Sequence, residues 1–280
     1  MANKKFAFIA QVVSSYAFLI IMIIVSVFPA IWMLSTSFKR PRDVFNIPPE
    51  IIPSAPTLEN YQRVLQNRAM LDAFINSAFI TICVLAITLL LSILAGYSLS
   101  RFTFKGAGLV KIAMLFGQMI PGVVIIIPLY FLFAQVRILD TRLAIITANL
   151  ALTIPMAVIM FSAFFAGIPR ELEEAAKIDG TTSLGALFRI ILPISKPGLI
   201  SVAIYTFINA WEEFLFALNL SLTSRARTLP IAISMFAGEF AVDWGSTMAA
   251  AAVVALPVLT IFLLCNRYFV KGLSEGAVKG

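Results

Sequence analysis

The stretch that decides the fold is Pro169–Pro197, PRELEEAAKIDGTTSLGALFRIILPISKP, the most charged segment of a chain in which 60% of residues are hydrophobic. Its pattern predicts a hairpin of two short helices that fold back at Gly180. Pro169 suits the first position of a helix, where a backbone N–H has no intrahelical partner. Gly180 stands where a left-handed residue ends such a helix, a conformation that costs a residue with a Cβ roughly 1 kcal/mol or more.

The second helix of this hairpin is predicted to begin at one of the three hydroxyl residues after the glycine and to stop at Pro193 and Pro197. Residues at helical spacing form one face on each helix. They are Leu172, Ala175, Ala176 and Asp179 in the first helix and Leu184, Leu187, Phe188 and Ile191 in the second. A membrane protein has little internal use for a charged hairpin between spans, so we expect it to be presented to a soluble partner.

The remainder of the chain has the composition of an integral membrane protein. Its mean hydropathy is +0.97 and only 12% of its residues are charged. Six apolar segments reach the roughly 20 residues needed to cross the hydrocarbon layer, and the absence of water there requires them to be helices. We therefore predict an all-α integral membrane protein, one transmembrane domain over residues 1–280 with the hairpin at 169–197. Its spans are about 8–34, 74–98, 112–133, 143–165, 199–222 and 248–269.

The distribution of basic residues bears on orientation. With the N-terminus inside, the predicted inner segments hold twelve of the 21 basic residues and the outer segments hold nine. Arg101–Lys111, with three basic residues and no acid, favours the cytoplasmic side. Lys39, Arg40 and Arg42 favour the opposite orientation. The balance predicts that both termini are cytoplasmic, with the apolar run 6–34 as a retained first span because it is too long for a signal-peptide core.

Several classes of function are excluded by residues that the sequence lacks. It has no histidine, which excludes Ser-His-Asp and Cys-His catalysis, His-ligated haem and ordinary zinc sites. It has no Gly-x-x-x-x-Gly-Lys-Ser/Thr sequence that would bind phosphate. The net charge of +7 is scattered among loops, so we expect no nucleic-acid partner. We predict no catalytic residue and no metal ligand, and Cys83 and Cys265 are expected to be small core residues.

The fifth predicted span contains two adjacent carboxylates. A carboxylate at the membrane centre costs roughly 2.5–3.5 kcal/mol on insertion scales, so both should face water or a partner. Hydrogen-bonding groups beside aromatic rings fit the hydroxyls and C–H faces of a sugar. Alternatively, the acids are protonated, pair with an arginine of another subunit, or lie near the outer interface. Tyr205, Asn209, Glu212, Phe216 and Asn219 form the predicted helical stripe, with Glu213 at its edge.

Prolines are predicted to interrupt the third span at Pro121 and Pro128 and the fourth at Pro155. Such breaks free backbone groups that must be satisfied by protein or water, so they are typical of helices that line cavities. Gln118 and Asn149 are polar members of these spans. We predict that they face the same space as the polar stripe.

Three loops carry further expectations. The first outer loop, 35–72, is predicted to contain a short helix after Thr57, either packed at the membrane interface or used for docking an external partner. Its apolar residues are Leu58, Tyr61, Val64 and Leu65. The apolar segment Leu229–Phe236 is too short to span and is interpreted as re-entrant or interfacial. The glycine-rich tail 272–280 is predicted to be flexible or extended.

The hairpin resembles the EAA loop of the permease subunits of bacterial ABC importers. The matching pattern is Glu174-Ala175-Ala176, three residues, Gly180, nine residues, then Ile190-x-Leu192-Pro193, with Asp179 also fitting. The residue types and the spacing agree throughout. By this resemblance the residues that couple to the ATPase are Glu174, Ala175, Ala176, Asp179, Gly180, Ile190, Leu192 and Pro193.

Other segments narrow the resemblance to carbohydrate-uptake permeases related to the maltose transporter, in particular to the smaller, six-span permease of the pair. They are Thr57–Tyr61, the Trp211–Leu215 run and the tail 272–280, so the resemblance covers nearly the whole chain. One departure is Glu212, a position that is commonly Asn in such sequences. This difference changes the polar contacts expected and bears on the charge of the substrate.

The resemblance implies a fold of the ABC importer type I permease kind, with the hairpin and both termini in the cytoplasm. It also implies that this chain binds no cofactor itself. Two ATP-binding subunits would hold ATP and Mg, a second permease would complete a heterodimer in the lipid of the inner membrane, and an extracytoplasmic binding protein would deliver a sugar. The tail is expected to approach the ATPase subunits.

Our leading hypothesis is a non-catalytic permease subunit that carries an oligosaccharide or related polyol. A self-contained ion- or proton-coupled carrier that uses Glu212 and Glu213 is the alternative, although no internal repeat is evident, as many such carriers have. A membrane scaffold without a pathway is a third. The predicted pathway residues are Gln118, Asn149, Tyr205, Asn209, Glu212, Glu213 and Phe216.

Overall fold

The structure is a computed structural model that describes residues 2–236 and 242–277, with side chains for 11–236 and 242–265. Regular elements within these ranges are helical, so the predicted all-α class is confirmed. A 3₁₀ turn, Pro41–Asp43, and a π turn, Leu187–Ile191, accompany the α-helices. The α-helices are α1 (Ala2–Ser37), α2 (Glu59–Gln66), α3 (Arg68–Arg101), α4 (Ala107–Met119), α5 (Gly122–Gln135), α6 (Arg142–Ala166), α7 (Glu171–Ile178), α8 (Ser183–Ala186), α9 (Leu192–Ile194), α10 (Lys196–Trp211), α11 (Leu215–Leu220), α12 (Leu229–Ser234) and α13 (Trp244–Ala277).

Membrane-spanning capacity is distributed over continuous and bent helices. By length and composition, four helices of the described residues can cross a membrane: Gln11–Ser37, Arg68–Arg101, Arg142–Ala166 and Trp244–Cys265. Two bent pairs also qualify, α4 with α5 at 98° and Ser183–Ile194 with α10 at 83°. The number of spans reaches the predicted six when each bent pair counts as one.

Proline interrupts a helix at only one of the three predicted places. Pro121 separates α4 from α5, as expected of a residue that cannot donate a backbone hydrogen bond. Pro128 and Pro155 lie inside the continuous helices α5 and α6, so the predicted interruptions there are wrong. A single missing donor in a membrane helix can be compensated by neighbouring groups without ending the helix.

The described residues form two compact units, Met1–Arg68 with Ile233–Ala255 and Ala69–Ala232 with Leu256–Gly280. In the first unit, the buried side-chain amide of Asn60 donates to the carbonyls of Ser37 at 2.9 Å and Lys39 at 2.8 Å. These bonds tie α2 to the end of α1. The helix predicted after Thr57 is therefore present, and its buried face consists of Asn60 and Val64.

In the second unit, α6 packs against both α3 and α10 through glycines. A Cβ on Gly96 of α3 would lie 2.6 Å from the Phe161 Cβ, and one on Gly198 of α10 would lie 2.6 Å from the Phe164 ring. Small residues permit such close approach of membrane helices. Thr88 and Thr153 add a buried hydroxyl–hydroxyl bond of 3.0 Å between α3 and α6.

The turn between α5 and α6 is joined to the end of α11. Asp140, with φ +61°, donates its N–H to the Leu220 carbonyl at 3.0 Å. Its carboxylate accepts the N–H groups of Leu222 and Thr223 at 2.8 and 2.9 Å and the Thr223 hydroxyl at 2.7 Å. Burial raises the pKa of Asp140, but these hydrogen bonds and the charge of Arg225 outweigh it and hold the pKa below its ordinary value.

Two further expectations concern the C-terminal third. The segment predicted to be re-entrant or interfacial forms α12, and Leu229, Ile231 and Ala232 of this helix are buried. The Leu229 N–H donates to the Ser77 hydroxyl of α3 at 2.8 Å. The tail 272–280 is helical as far as Ala277, so its predicted extended conformation is wrong to that point, and 278–280 lie outside the described residues.

Candidate functional site

The predicted hairpin is present and turns at Gly180 as expected. Gly180 has φ +82°, its N–H donates to the Lys177 carbonyl at 3.0 Å, and the Thr181 N–H donates to the Ala176 carbonyl at 3.0 Å. This pair of bonds is the Schellman arrangement that satisfies the last carbonyls of a helix. A Cβ at Gly180 would meet no atom within 4 Å. Glycine is therefore needed here for backbone conformation and not for space.

The second arm of the hairpin differs from the prediction in how it ends. It begins as expected, because the Thr182 hydroxyl accepts the Gly185 N–H at 3.1 Å. The helix then widens into the π turn, in which the Leu192 N–H donates to the Leu187 carbonyl five residues back. Neither proline stops the helix as predicted: Pro193 lies within the helical run Ser183–Ile194, and Pro197 lies in the first turn of α10, where proline is tolerated. The 83° bend falls between residues 194 and 196.

The motif residues divide between an exposed and a buried side. Glu174, Ala175, Asp179, Gly180 and Pro193 are exposed, Ile190 and Leu192 are half-buried, and Ala176 is buried. Apolar side chains also face outward, with Ile178 87% exposed, Leu184 58% and Phe188 48%. The predicted face of the second helix is therefore divided, because only Leu187 and Ile191 are buried. The hairpin presents a surface of charged residues of both signs and apolar residues.

A buried polar cluster, which the sequence analysis did not identify, holds the hairpin against α3. The Tyr97 hydroxyl donates to Glu173 Oε1 at 2.6 Å. Arg101 Nε lies 3.3 Å from Glu173 Oε2, and Lys177 Nζ lies 3.1 Å from Glu173 Oε1. The Arg101 Nε contact is an ion pair without an aligned hydrogen bond, while an Arg101 NH2 group donates to the Ile168 carbonyl at 3.0 Å.

The ionised form of Glu173 is favoured although the residue is only 5% exposed. Burial raises its pKa, but hydrogen bonds from Tyr97 and Lys177 and the charges of Lys177 and Arg101 together lower the pKa below its ordinary value. The available sequence signal was two i, i+4 pairs, Tyr97 with Arg101 and Glu173 with Lys177, each on one helical face. Nothing in the sequence indicated that the two faces meet.

A polar cavity of about 280 Å³ collects four of the predicted pathway residues. Asn149 comes from α6, Asn209 from α10, and Glu212 and Glu213 from the break after α10. The other lining residues are Leu152, Thr153 and Ile208. This volume is at the lower end of the range for small-molecule sites.

The remaining three predicted residues do not line this cavity. Gln118 donates to the carbonyl of the lining residue Leu152 at 2.8 Å, so it lies beside the cavity. Tyr205 lies one turn before Asn209, whose side-chain nitrogen donates to the Tyr205 carbonyl at 2.8 Å. Phe216 is buried in α11 within the apolar core.

The predicted continuous stripe is divided because the fifth span breaks between α10 and α11. The Glu213 carboxylate accepts the N–H groups of Phe216 at 2.6 Å and Ala217 at 2.9 Å. It thereby satisfies orphan donors in the first turn of α11. Glu212 is exposed, and in the described parts of the chain no hydrogen bond or ion pair involves its carboxylate.

Comparison with known proteins finds relatives along nearly the whole chain. The family described as "Binding-protein-dependent transport system inner membrane component" matches residues 88–275. The chain is 35% identical to the sulfoquinovosyl glycerol transport system permease protein SmoH of Agrobacterium fabrum, over 93% of this chain and 91% of that protein. It is 37% identical to the trehalose/maltose transport system permease protein MalG of Thermococcus litoralis, over 93% of this chain and 94% of that protein.

A solved structure has a similar fold. It is a chain of a bacterial ABC transporter involved in the import of the acidic polysaccharide alginate, with a TM-score of 0.80 and 19% identity. The similarity covers 92% of this chain and 95% of that chain. At this identity the similarity concerns the fold alone.

Proposed function

Because the chain belongs to the family of binding-protein-dependent transport system inner membrane components, we propose that it is the non-catalytic permease subunit of an ATP-driven sugar importer. The resemblance drawn from the hairpin is confirmed by the family match and by relatives named as transport permeases. The type I permease fold is confirmed by the solved importer. The chain is a multi-pass protein of the inner membrane.

The observation that carries the proposal is the exposed hairpin. Glu174 and Ala175 are exposed next to Ile178, an apolar residue that is 87% exposed. An exposed apolar surface of this kind marks a contact with another protein. Glu173 and Ala176, on the buried side, hold the same helix to its own subunit. A helix with one side fixed and the other presented can transmit a push from a docked ATPase subunit.

The substrate class follows from the relatives and the cavity. The two relatives described above are named for sulfoquinovosyl glycerol and for trehalose and maltose. The cavity presents amide and carboxylate groups, which bind hydroxyls. Together these support an oligosaccharide or related polyol as the transported solute. The small volume of the cavity supports a pathway that a second permease subunit completes.

The proposed assembly contains two ATP-binding subunits, which hold ATP and Mg, a second permease in a heterodimer, and an extracytoplasmic sugar-binding protein. This chain would bind neither nucleotide nor metal. The hairpin and both termini would lie in the cytoplasm, where the ATP-binding subunits are. ATP-driven closure of those subunits would switch the permeases between inward- and outward-facing states.

Co-purification and transport test the coupling role. In Glu174→Lys, charge reversal on the exposed side should weaken association with the ATP-binding subunits and reduce ATP-driven uptake. Glu50→Lys, which makes the same charge reversal in the predicted outer loop, should leave that association unchanged.

Unchanged association of Glu174→Lys at low and high salt would contradict the role of the hairpin. The carrier alternative is tested on the purified chain alone in vesicles. Solute accumulation that follows an ion gradient without ATP would overturn the proposal and favour a carrier that uses Glu212 and Glu213.

A further inference from the structure

The two carboxylates of the cavity have different surroundings. Both oxygens of Glu213 accept backbone N–H groups of α11, at 2.6 and 2.9 Å, so both are already occupied by hydrogen bonds. Glu212 lines the same cavity, and no side chain in the described ranges neutralises it. Glu212 is therefore the carboxylate that a solute in the cavity meets.

The end of α10 adds to the negative character of the cavity. This 16-residue helix ends at Trp211, and Glu212 is its C-cap residue. The last carbonyls of a helix have no intrahelical donor and carry the negative end of the helix dipole. The opposite partial charge, at the start of α11, is masked by Glu213. At the break, the Phe216 and Ala217 N–H groups of the first turn of α11 are therefore already bonded.

The two amide side chains reinforce this asymmetry. Asn149, which is 1% exposed, and Asn209 each donate a side-chain N–H to the carbonyl four residues back, at 2.9 and 2.8 Å. These bonds fix the orientation of each amide and leave its carbonyl oxygen without a donor in the described residues. Asn149 is thus a buried polar group that lines the cavity with an unused acceptor.

No lysine or arginine is among the residues that line the cavity, all of which belong to the part of the chain described. A unit charge on a solute about 6 Å from the Glu212 carboxylate would raise or lower the occupancy of the cavity about threefold at the dielectric constant of water, depending on its sign. The effect is larger where less water is present. A cationic and an anionic solute of equal size would therefore differ about tenfold in occupancy.

We propose that this cavity is a charge-selective solute site, in which Glu212 favours neutral and aminated sugars and disfavours uronic or sulfonated ones, in contrast to the sulfonated solute for which one relative is named. The inference rests on the proposed function, because it assumes that the cavity lies on the solute pathway. It deepens that function by assigning charge discrimination to the permease itself, separately from any binding protein.

A thiol reporter in the cavity tests the proposal in the complete complex. Cys83 and Cys265 are replaced by alanine and the lining residue Ile208 by cysteine. Modification rates are measured with a cationic and an anionic methanethiosulfonate, with and without Glu212→Gln. Glu50→Gln, which removes the same charge from the predicted first outer loop, is the matched control. Protection against neutral methyl methanethiosulfonate is then compared for glucosamine, glucose and glucuronate, which share one ring size.

With Glu212 present, we expect the cationic reagent to be favoured and glucosamine to protect about tenfold better than glucuronate. Glu212→Gln should abolish both preferences, and Glu50→Gln should change neither. If the thiol reacts but its reagent and sugar preferences are the same with and without Glu212→Gln, the inference is overturned. ATP-driven uptake by the same complex would in that case leave the proposed function intact. A thiol that reacts with neither reagent in any nucleotide state also overturns it, because the cavity is then not reached by solutes.

Discussion

Removing the Tyr97 hydroxyl tests whether the buried cluster holds the hairpin to α3. In Tyr97→Phe the ring remains packed against Phe102 and Phe165, with centroids at 5.9 and 6.2 Å. The change therefore removes one donor to Glu173, at 2.6 Å, without opening a cavity. A hydrogen bond to a charged group contributes about 1.5–3 kcal/mol.

The expected effect is local loosening of the hairpin. If the free energy needed to open the hairpin from α3 falls by this amount, amide exchange in α7 and α8 should accelerate roughly 10- to 150-fold. Hydrogen–deuterium exchange with mass spectrometry on the purified complex measures this directly. Tyr16→Phe, which removes a hydroxyl from an exposed side chain of α1, should leave exchange in the hairpin unchanged.

The pH dependence supplies a second arm of the same test. The pKa of Glu173 lies below its ordinary value of 4.5, so its ionised form stabilises the docked hairpin above that value. This stabilisation is lost as pH falls through the native pKa. Tyr97→Phe removes a donor to the ionised form and should raise that pKa, so acid loosening should begin at a higher pH. Exchange rates within twofold of wild type at every pH would refute the assigned role of Tyr97.

Three further predictions concern backbone geometry and the Asp140 contacts. In Gly96→Ala the new Cβ would lie 2.6 Å from Phe161, so the variant should lose about 1–3 kcal/mol of unfolding free energy and unfold at a lower temperature. Gly117→Ala, whose Cβ would have no atom within 4 Å, should keep the wild-type unfolding temperature. Equal unfolding temperatures for the two variants would contradict the close packing at Gly96. Gly180→Val should strain the left-handed turn by about 1–2 kcal/mol and reduce co-purification with the ATP-binding subunits. Intact co-purification together with normal sugar-stimulated ATP hydrolysis would contradict this prediction. The pKa of Asp140 lies below its ordinary value of 3.8, so the ionised carboxylate should stabilise the protein above that pH, and this stabilisation should be lost in acid. Asp140→Asn should therefore make the unfolding temperature less dependent on pH between about pH 3 and 6. An unchanged pH dependence would contradict the role of the carboxylate.

Features set by local chemistry were predictable from the sequence. The turn at Gly180 was predicted because a left-handed residue after a helix strongly favours glycine. The helical nature of the spans was predicted because backbone groups in lipid must bond within helices, and the described residues contain four candidate spans, or six if each bent pair is one span. The EAA pattern then gave the family, which the comparisons confirm.

Features that depend on distant contacts were not predictable. Tyr97 and Glu173 are 76 positions apart, and no periodicity indicates that their helices meet. The division of the polar stripe was missed for a different reason. Helical periodicity treats Glu213 as a member of one continuous helix. In the structure its carboxylate accepts N–H groups in the first turn of α11, so the helix is interrupted between α10 and α11. The break placed Glu212 in the cavity and Phe216 in the core.

The Asp140 contacts described above have a mechanical consequence. They join the α5–α6 turn to the chain that follows α11 through four hydrogen bonds. These bonds oppose a separation of the two chain segments at that end. If this part of the chain moves during transport, we therefore expect the α5–α6 turn and the segment after α11 to move together.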